Sequence, residues 1–192
     1  MPDMLVKLYE LPPLEPEIAF QRNQGITVRR CMPPEKQLVT EWIDEHFNPY
    51  WSSEANVGFS THPTTVMLAH RRDQLLGFAC YDTTFKGFFG PTGVDERERG
   101  RGIGTALLIK CLHEMRNAGY MYCIIGWAGP TSYYEKAVNA VVIPGSEPSY
   151  AYKGLLGTDA VFNDGAPSES FLENPNRVMA RQGVDLPHTP QH

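Results

Sequence analysis

Nothing in this 192-residue chain is apolar for long enough to cross a bilayer; charges and prolines break every run well short of about twenty residues. The opening Met1-Pro-Asp-Met-Leu-Val-Lys7 lacks the basic start, apolar middle and small-residue end of a secretory leader, so a cytoplasmic protein is expected. Positive charge is in deficit: 17 Lys and Arg stand against 22 Asp and Glu, for a net charge of −5, which argues against nonspecific nucleic-acid binding. Cysteine is scarce. Cys31, Cys80, Cys111 and Cys123 lie in apolar surroundings without C-x-x-C spacing, and they read as reduced core residues. His188 and His192 have no ligand cluster near them, so no metal site is expected. Two phosphate signatures are absent as well. No glycine is followed by lysine, which rules out the G-x-x-x-x-G-K-S/T loop. Gly100, Gly102 and Gly104 are spaced by two, and a dinucleotide G-x-G-x-x-G would need glycine where Thr105 or Leu107 stands. There is no internal repeat.

What is present is concentrated in one stretch, Val94-Asp-Glu-Arg-Glu-Arg99-Gly100-Arg101-Gly102-Ile103-Gly104-Thr105-Ala-Leu-Leu108. Glycines let a ligand approach the backbone, and the helix that follows points its positive end and unpaired N–H groups at the turn. The stretch is therefore built for a polyphosphate. Ile103, Leu107, Leu108, Cys111, Leu112 and Met115 recur at helical spacing, and Gly119 is a plausible stop. Before the loop, residues 64–71, 75–81 and 85–94 read as strands; after the helix, residues 120–127 read as a short buried strand.

The pattern Arg99-x-x-Gly102-x-Gly104 closely resembles the R/Q-x-x-G-x-G/A loop with which the GNAT superfamily of acetyltransferases holds acyl-coenzyme A. The resemblance covers residues 26–156. It implies an α/β (α+β) fold with a mixed central sheet of about six to seven strands flanked by helices. It also implies an N-acetyltransferase that moves an acetyl group from acetyl-CoA to a primary amine by direct attack in a ternary complex. The cofactor would lie on Arg99, Gly100, Arg101, Gly102, Ile103, Gly104 and Thr105, with Val94 offering backbone N–H to the thioester arm. Trp127 to Ala137 contains Tyr133-Tyr134-Glu-Lys, which resembles the family segment F-Y-E-K-x-G-F. That resemblance makes Tyr134 the proton donor to the departing thiolate. Residues one apart on a helix point about 100° apart, so Tyr133 is expected to pack inward. The chain departs from the segment at Val138 and Asn139.

A base is harder to place. Residues 85–94 carry no carboxylate, Asp95 and Glu96 are expected to face solvent, and Asp82 is the nearest substitute as base or acceptor anchor, with Glu54 and His62 as further base candidates and a water chain to bulk as another route. Residues 48–63, aromatic and turn-rich, are the expected acceptor region, with Tyr50, Trp51 and Glu54 as substrate-binding candidates and Phe59 and His62 nearby. The acceptor is a small-molecule or peptide amine. The alternative is a non-catalytic acyl-CoA-binding regulatory module on the same fold, and acyl length stays open. Three regions are expected: an N-terminal extension, 1–25, with an extra strand and a Pro-rich linker; the acetyltransferase domain, 26–156; and a polar tail, 157–192. Residues 140–143 and 150–156 are expected to form a last hairpin. Phe171-Leu172 and Val178-Met179 in the tail would anchor it to the body or to a second subunit in a homodimer.

Overall fold

A computed structural model describes residues 1–155. Its centre is a seven-stranded mixed sheet in the order β2-β3-β4-β5-β6-β1-β7. The strands are β1 (Met4–Lys7), β2 (Thr27–Arg30), β3 (Val66–Arg71), β4 (Gln74–Tyr81), β5 (Phe88–Val94), β6 (Tyr122–Ile125) and β7 (Val141–Val142). Only β5 and β6 run parallel; the other neighbours are antiparallel. β4 is buried at every residue after Gln74. Such a run of apolar residues, rather than an alternation, is what a strand covered on both faces requires. Helix α4 (Ile103–Asn117) and α1 (Leu14–Asn23) cover one face, where Leu107, Leu112, Met67, Leu76 and Cys123 meet. Helices α2 (Lys36–His46) and α3 (Pro49–Phe59) cover the other through Val39, Ile43, Phe47, Phe59 and Phe78. A leucine as enclosed as Leu107 contributes about 2 kcal/mol of apolar burial. All four cysteines are buried and free, and burial pushes the Cys31 thiol up to about 12, so it is no thiolate nucleophile. Among the described residues no helix is long and apolar enough to cross a membrane.

Three segments differ from their sequence expectation. Residues 11–16 do not stay extended as a linker: α1 begins at Leu14, because prolines in a first turn give up only N–H groups that have no helical partner. Glu15 and Glu17 favour that end of the helix, and Leu14 and Ile18 pack on the core. Residues 48–63 are not mainly turns. The Asn48 carboxamide oxygen accepts the Trp51 N–H at 2.9 Å, Pro49 is the first helical residue, and α3 follows. The expected last hairpin does not form. β7 pairs instead with β1, Leu5 opposite Val141, while residues 151–154 form turns and Leu156 lies outside the described residues. β1 wins this place because Met4 and Val6 alternate into the core with no exposed surface, whereas Gly154 has a φ of +80°. The tail residues 157–192, with their anchoring pairs, also lie outside the described residues.

Candidate functional site

A cleft opens where β5 and β6 part. They pair only at Phe88 opposite Ile124 and Phe89 opposite Ile125. Beyond Ile125 the chain turns at Trp127, whose N–H donates to the Asp3 carboxylate at 2.8 Å. The Phe88 ring fills the space over Gly126, where a Cβ would come within 2.9 Å of it. On its far side β5 stays with β4, and the Asp95 N–H reaches the Leu76 carbonyl at 2.9 Å. Antiparallel alternation then turns the N–H and C=O groups of Thr92 and Val94 the other way, to the edge β6 has left. These backbone groups of β5, Val94 among them, face the cleft.

The loop 95–102 meets the cleft at its wide end. Gly100 and Gly102 adopt left-handed conformations, with φ of +79° and +76°, which only glycine takes without strain. The first intrahelical bond of α4 runs from Ala106 to the Gly102 carbonyl. The N–H groups of Ile103, Gly104 and Thr105 therefore have no intrahelical acceptor, at the positive end of a fifteen-residue helix. A Cβ on Gly104 would lie 3.5 Å from the Tyr133 hydroxyl and 3.7 Å from Val94 Cγ2, so that glycine is the floor of the cleft. A Cβ on Gly102 would point the other way, 3.1 Å from the Gln21 amide nitrogen and 3.3 Å from the Phe20 ring.

The arginines do not form an open positive patch. Arg97 is bound to Asp95 and Arg101 lies 3.4 Å from Glu98. Arg99 lies 3.6 Å from Glu96 and also lines the cleft. Asp95 corrects its expectation too. It is buried, not solvent-facing, because its carboxylate accepts the Arg97 backbone N–H and guanidinium, which hold it below the usual carboxylate range. What the loop offers to an anion is thus mainly backbone N–H.

The loop has a support that sequence reasoning missed. Gln21 on α1 is fully buried and its amide donates to the Arg101 carbonyl at 3.0 Å, with Gln24 donating to the same oxygen at 3.3 Å. No local signal marks a glutamine that acts on a loop eighty residues away. Gln21→Ala is expected to lower coenzyme A affinity about fivefold through the lost bond, read by calorimetry, with turnover at saturation little changed.

Helix α5 (Thr131–Val138) forms the opposite wall. Tyr133 and Tyr134 pack edge to face, their ring centroids 4.9 Å apart. Tyr133 does not simply pack inward: it lines the cleft beside the 100–105 loop, with its hydroxyl 3.4 Å from that of Thr105. Tyr134 stands where the two arms of the cleft join. Its hydroxyl makes no hydrogen bond among the described residues, and burial raises its pKa far above that of a free phenol. Its hydroxyl therefore keeps its proton at neutral pH.

The cleft has two arms that share Trp51, Phe89, Thr92, Arg99, Pro130 and Tyr134. The larger, about 640 Å³, runs along Val94, Gly100 and residues 102–105, whereas Arg101 does not line it. The smaller, about 370 Å³, is lined by Phe88, Pro91, Trp127 and Tyr152. The acceptor-region candidates divide. Trp51 lies in the cleft, whereas Tyr50 and Glu54 line a separate outer pocket of about 400 Å³. Asp82 lies in neither. It sits at the β4–β5 turn with φ +58°, accepts the Gly87 N–H and the Tyr120 hydroxyl at 2.7 Å each, and has Lys86 at 3.7 Å. Its carboxylate closes the turn, which corrects its expected place in the catalytic group. Thr84, Trp127 and Tyr152 were missed. Trp127 stands in a Gly/Pro-rich run that could have drawn notice; Thr84 and Tyr152 carry no sequence signal.

Comparison with known proteins agrees with this geometry. The model of the acetyltransferase (GNAT) family matches residues 29–139, more than half of the chain. A GCN5-related glucosamine N-acetyltransferase region of a fungal multi-domain GH3 β-N-acetylglucosaminidase superimposes with a TM-score of 0.61 at 14% identity, over 74% of this chain and 19% of that one. A GCN5-related N-acetyltransferase from Sphaerobacter thermophilus superimposes with a TM-score of 0.51 at 22% identity, over 74% of this chain. This chain spans about half of that protein, 48%. At these identities the likeness is one of fold. No curated protein matches the chain.

Proposed function

The chain belongs to the acetyltransferase (GNAT) family, and from that premise we propose that it moves an acetyl group from acetyl-CoA to a primary amine, with both bound at once. The observation that carries this reading is the cradle at Gly104. Unpaired N–H groups, a floor without a side chain and the free edge of β5 converge there on one cleft. These groups suit a diphosphate continued by an amide-bearing arm. Acetyl-CoA supplies an acetyl group already activated as a thioester.

Each part of the chain then has a task. The N–H groups of Ile103, Gly104 and Thr105 bind the diphosphate oxygens, and Arg99 adds charge at the mouth. Thr92 and Val94 hold the arm and offer N–H groups where negative charge develops on the carbonyl oxygen, the kind of preorganisation that contributes most to such transfers. Tyr134 holds a proton for the leaving sulfur. Trp51, Phe89 and Trp127 wall off water and orient the acceptor, so that proximity contributes as well. The acceptor enters by the smaller arm, whose aromatic lining suits an amine carried on an apolar body.

The rival reading, a non-catalytic acyl-CoA-binding module, has no use for a second arm beside a protonated Tyr134. The deciding experiment combines two readouts. Coenzyme A is expected to raise the melting temperature. Acetyl-CoA is expected to release free thiol only when one of a panel of primary amines is added. A melting shift without thiol release from any amine would favour the binding module.

A further inference from the structure

An acceptor amine meets this site as its ammonium and must lose a proton before it can attack. The inner carboxylates are already engaged. Glu98, at the edge of the cofactor arm, is bound by both terminal guanidinium nitrogens of Arg71 at 3.1 Å. Asp82 closes its turn. Glu54 differs from both. It is largely buried and accepts hydrogen bonds from the Thr84 and Tyr152 hydroxyls, the latter at 3.1 Å. No cation stands against it among the described residues, and burial raises its carboxyl above the ordinary range even though the two hydroxyls oppose the rise.

Its position gives it a use. Thr84 and Tyr152 line both the smaller arm of the cleft and the outer pocket, while Glu54 lines the outer pocket alone. Thr84 and Tyr152 thus stand between the two spaces, with the cleft on one side and the part-buried Glu54 in the outer pocket on the other. We propose, resting on the acetyl-transfer reading above, that Glu54 draws the acceptor's proton out of the cleft through the Tyr152 hydroxyl. The ammonium N–H bond breaks as its proton passes to Tyr152 Oη. The hydroxyl proton of Tyr152 passes to Glu54, leaving a neutral amine, an unchanged phenol and a carboxylic acid. Glu54 then returns the proton to water in the outer pocket. The other groups facing it do not compete. Cys80 is buried and its thiol is pushed well up, Tyr50 shares the outer pocket, and Lys153 lies over the Tyr150 ring at 4.2 Å.

The test measures turnover with acetyl-CoA and whichever of 2-phenylethylamine, cadaverine and glucosamine the wild type acetylates fastest, from neutral pH up toward the amine's own pKa. Glu54→Gln and Tyr152→Phe should each lower kcat/KM about a hundredfold or more at neutral pH, the usual worth of a placed proton acceptor. The deficit should shrink steadily as pH rises, because the free amine brings no proton to remove. Coenzyme A should shift the melting temperature of both variants as it does the wild type. Glu54→Gln should melt no lower than wild type at neutral pH, since a carboxylate whose folded pKa is raised costs stability above its unfolded pKa. Should Glu54→Gln fail to fold, Tyr152→Phe, which keeps the ring, gives the same reading. Wild-type turnover in either variant, or a deficit that stays constant with pH, overturns the proton route and leaves acetyl transfer standing. No turnover of any amine by the wild type overturns both.

Discussion

Gly104→Asp should leave the protein folded and remove coenzyme A binding. The residue lies in the first turn of α4 with an ordinary helical backbone, and a Cβ there makes only van der Waals contacts, at 3.5 and 3.7 Å. Replacing a helical glycine recovers up to about 1 kcal/mol of helix propensity. A carboxylate is also welcome at a helix N-terminus. Everything beyond Cβ, however, enters the cleft between Tyr133 and Val94, and it brings negative charge to the place proposed for the diphosphate. Affinity should fall at least about a hundredfold, roughly 2.7 kcal/mol, with a melting temperature at or above that of wild type. Gly102 offers the contrast. A side chain there meets a φ of +76° and the Gln21 and Phe20 side chains of α1, so Gly102→Ala should lower stability first. Isothermal titration and thermal melts on the two variants separate binding from folding. A folded Gly104→Asp that binds as wild type would show the diphosphate to lie elsewhere.

Tyr134→Phe should lower turnover by about a hundredfold to ten-thousandfold, the span typical of a lost general acid, and leave the Kd for coenzyme A nearly unchanged. Nothing but the hydroxyl is removed, and that hydroxyl makes no hydrogen bond among the described residues whose loss would disturb the fold. Tyr133→Phe is the control on the adjacent ring. It loses a contact of 3.4 Å to Thr105 and should cost little turnover. Pre-steady-state release of thiol measures the chemical step in both. An unchanged chemical rate in Tyr134→Phe would remove its role as proton donor.

The parts of the fold that were legible in the sequence are those in which neighbours along the chain decide the structure. β3, β4 and β5 announce themselves by apolar runs between turns, and α4 by its 3.6-residue period and the glycines at its start. Tyr133 and Tyr134 were located by their local pattern, though not the direction of Tyr133. What escaped depends on partners far away. β1 belongs beside β6 only because Val6 meets Cys123, more than a hundred residues on. Gln21 acts on Arg101, and Tyr152 on Glu54 across ninety-eight positions. Asp82 and Asp95 were misplaced for a related reason. A carboxylate beside a turn is read as either solvated or reactive, and only the fold shows that backbone N–H groups and a tyrosine or arginine have already engaged it. Asn48-Pro49 is a different kind of omission. The cap and the first-turn proline were both visible, but aromatic and polar residues around them were weighed as loop.

The place of β1 in the sheet also sets an order of events. A ribosome delivers these residues ahead of both their neighbours, since β6 and β7 are made more than a hundred residues later. Until then Met4, Val6 and Leu8 have no sheet to enter, and the nascent β6 edge has only β5 beside it. A strand made ahead of the rest of its sheet is thus among the last to be seated. That non-local closure favours slow folding and leaves an apolar strand and an open edge exposed together during synthesis, the combination most prone to pairing with another chain.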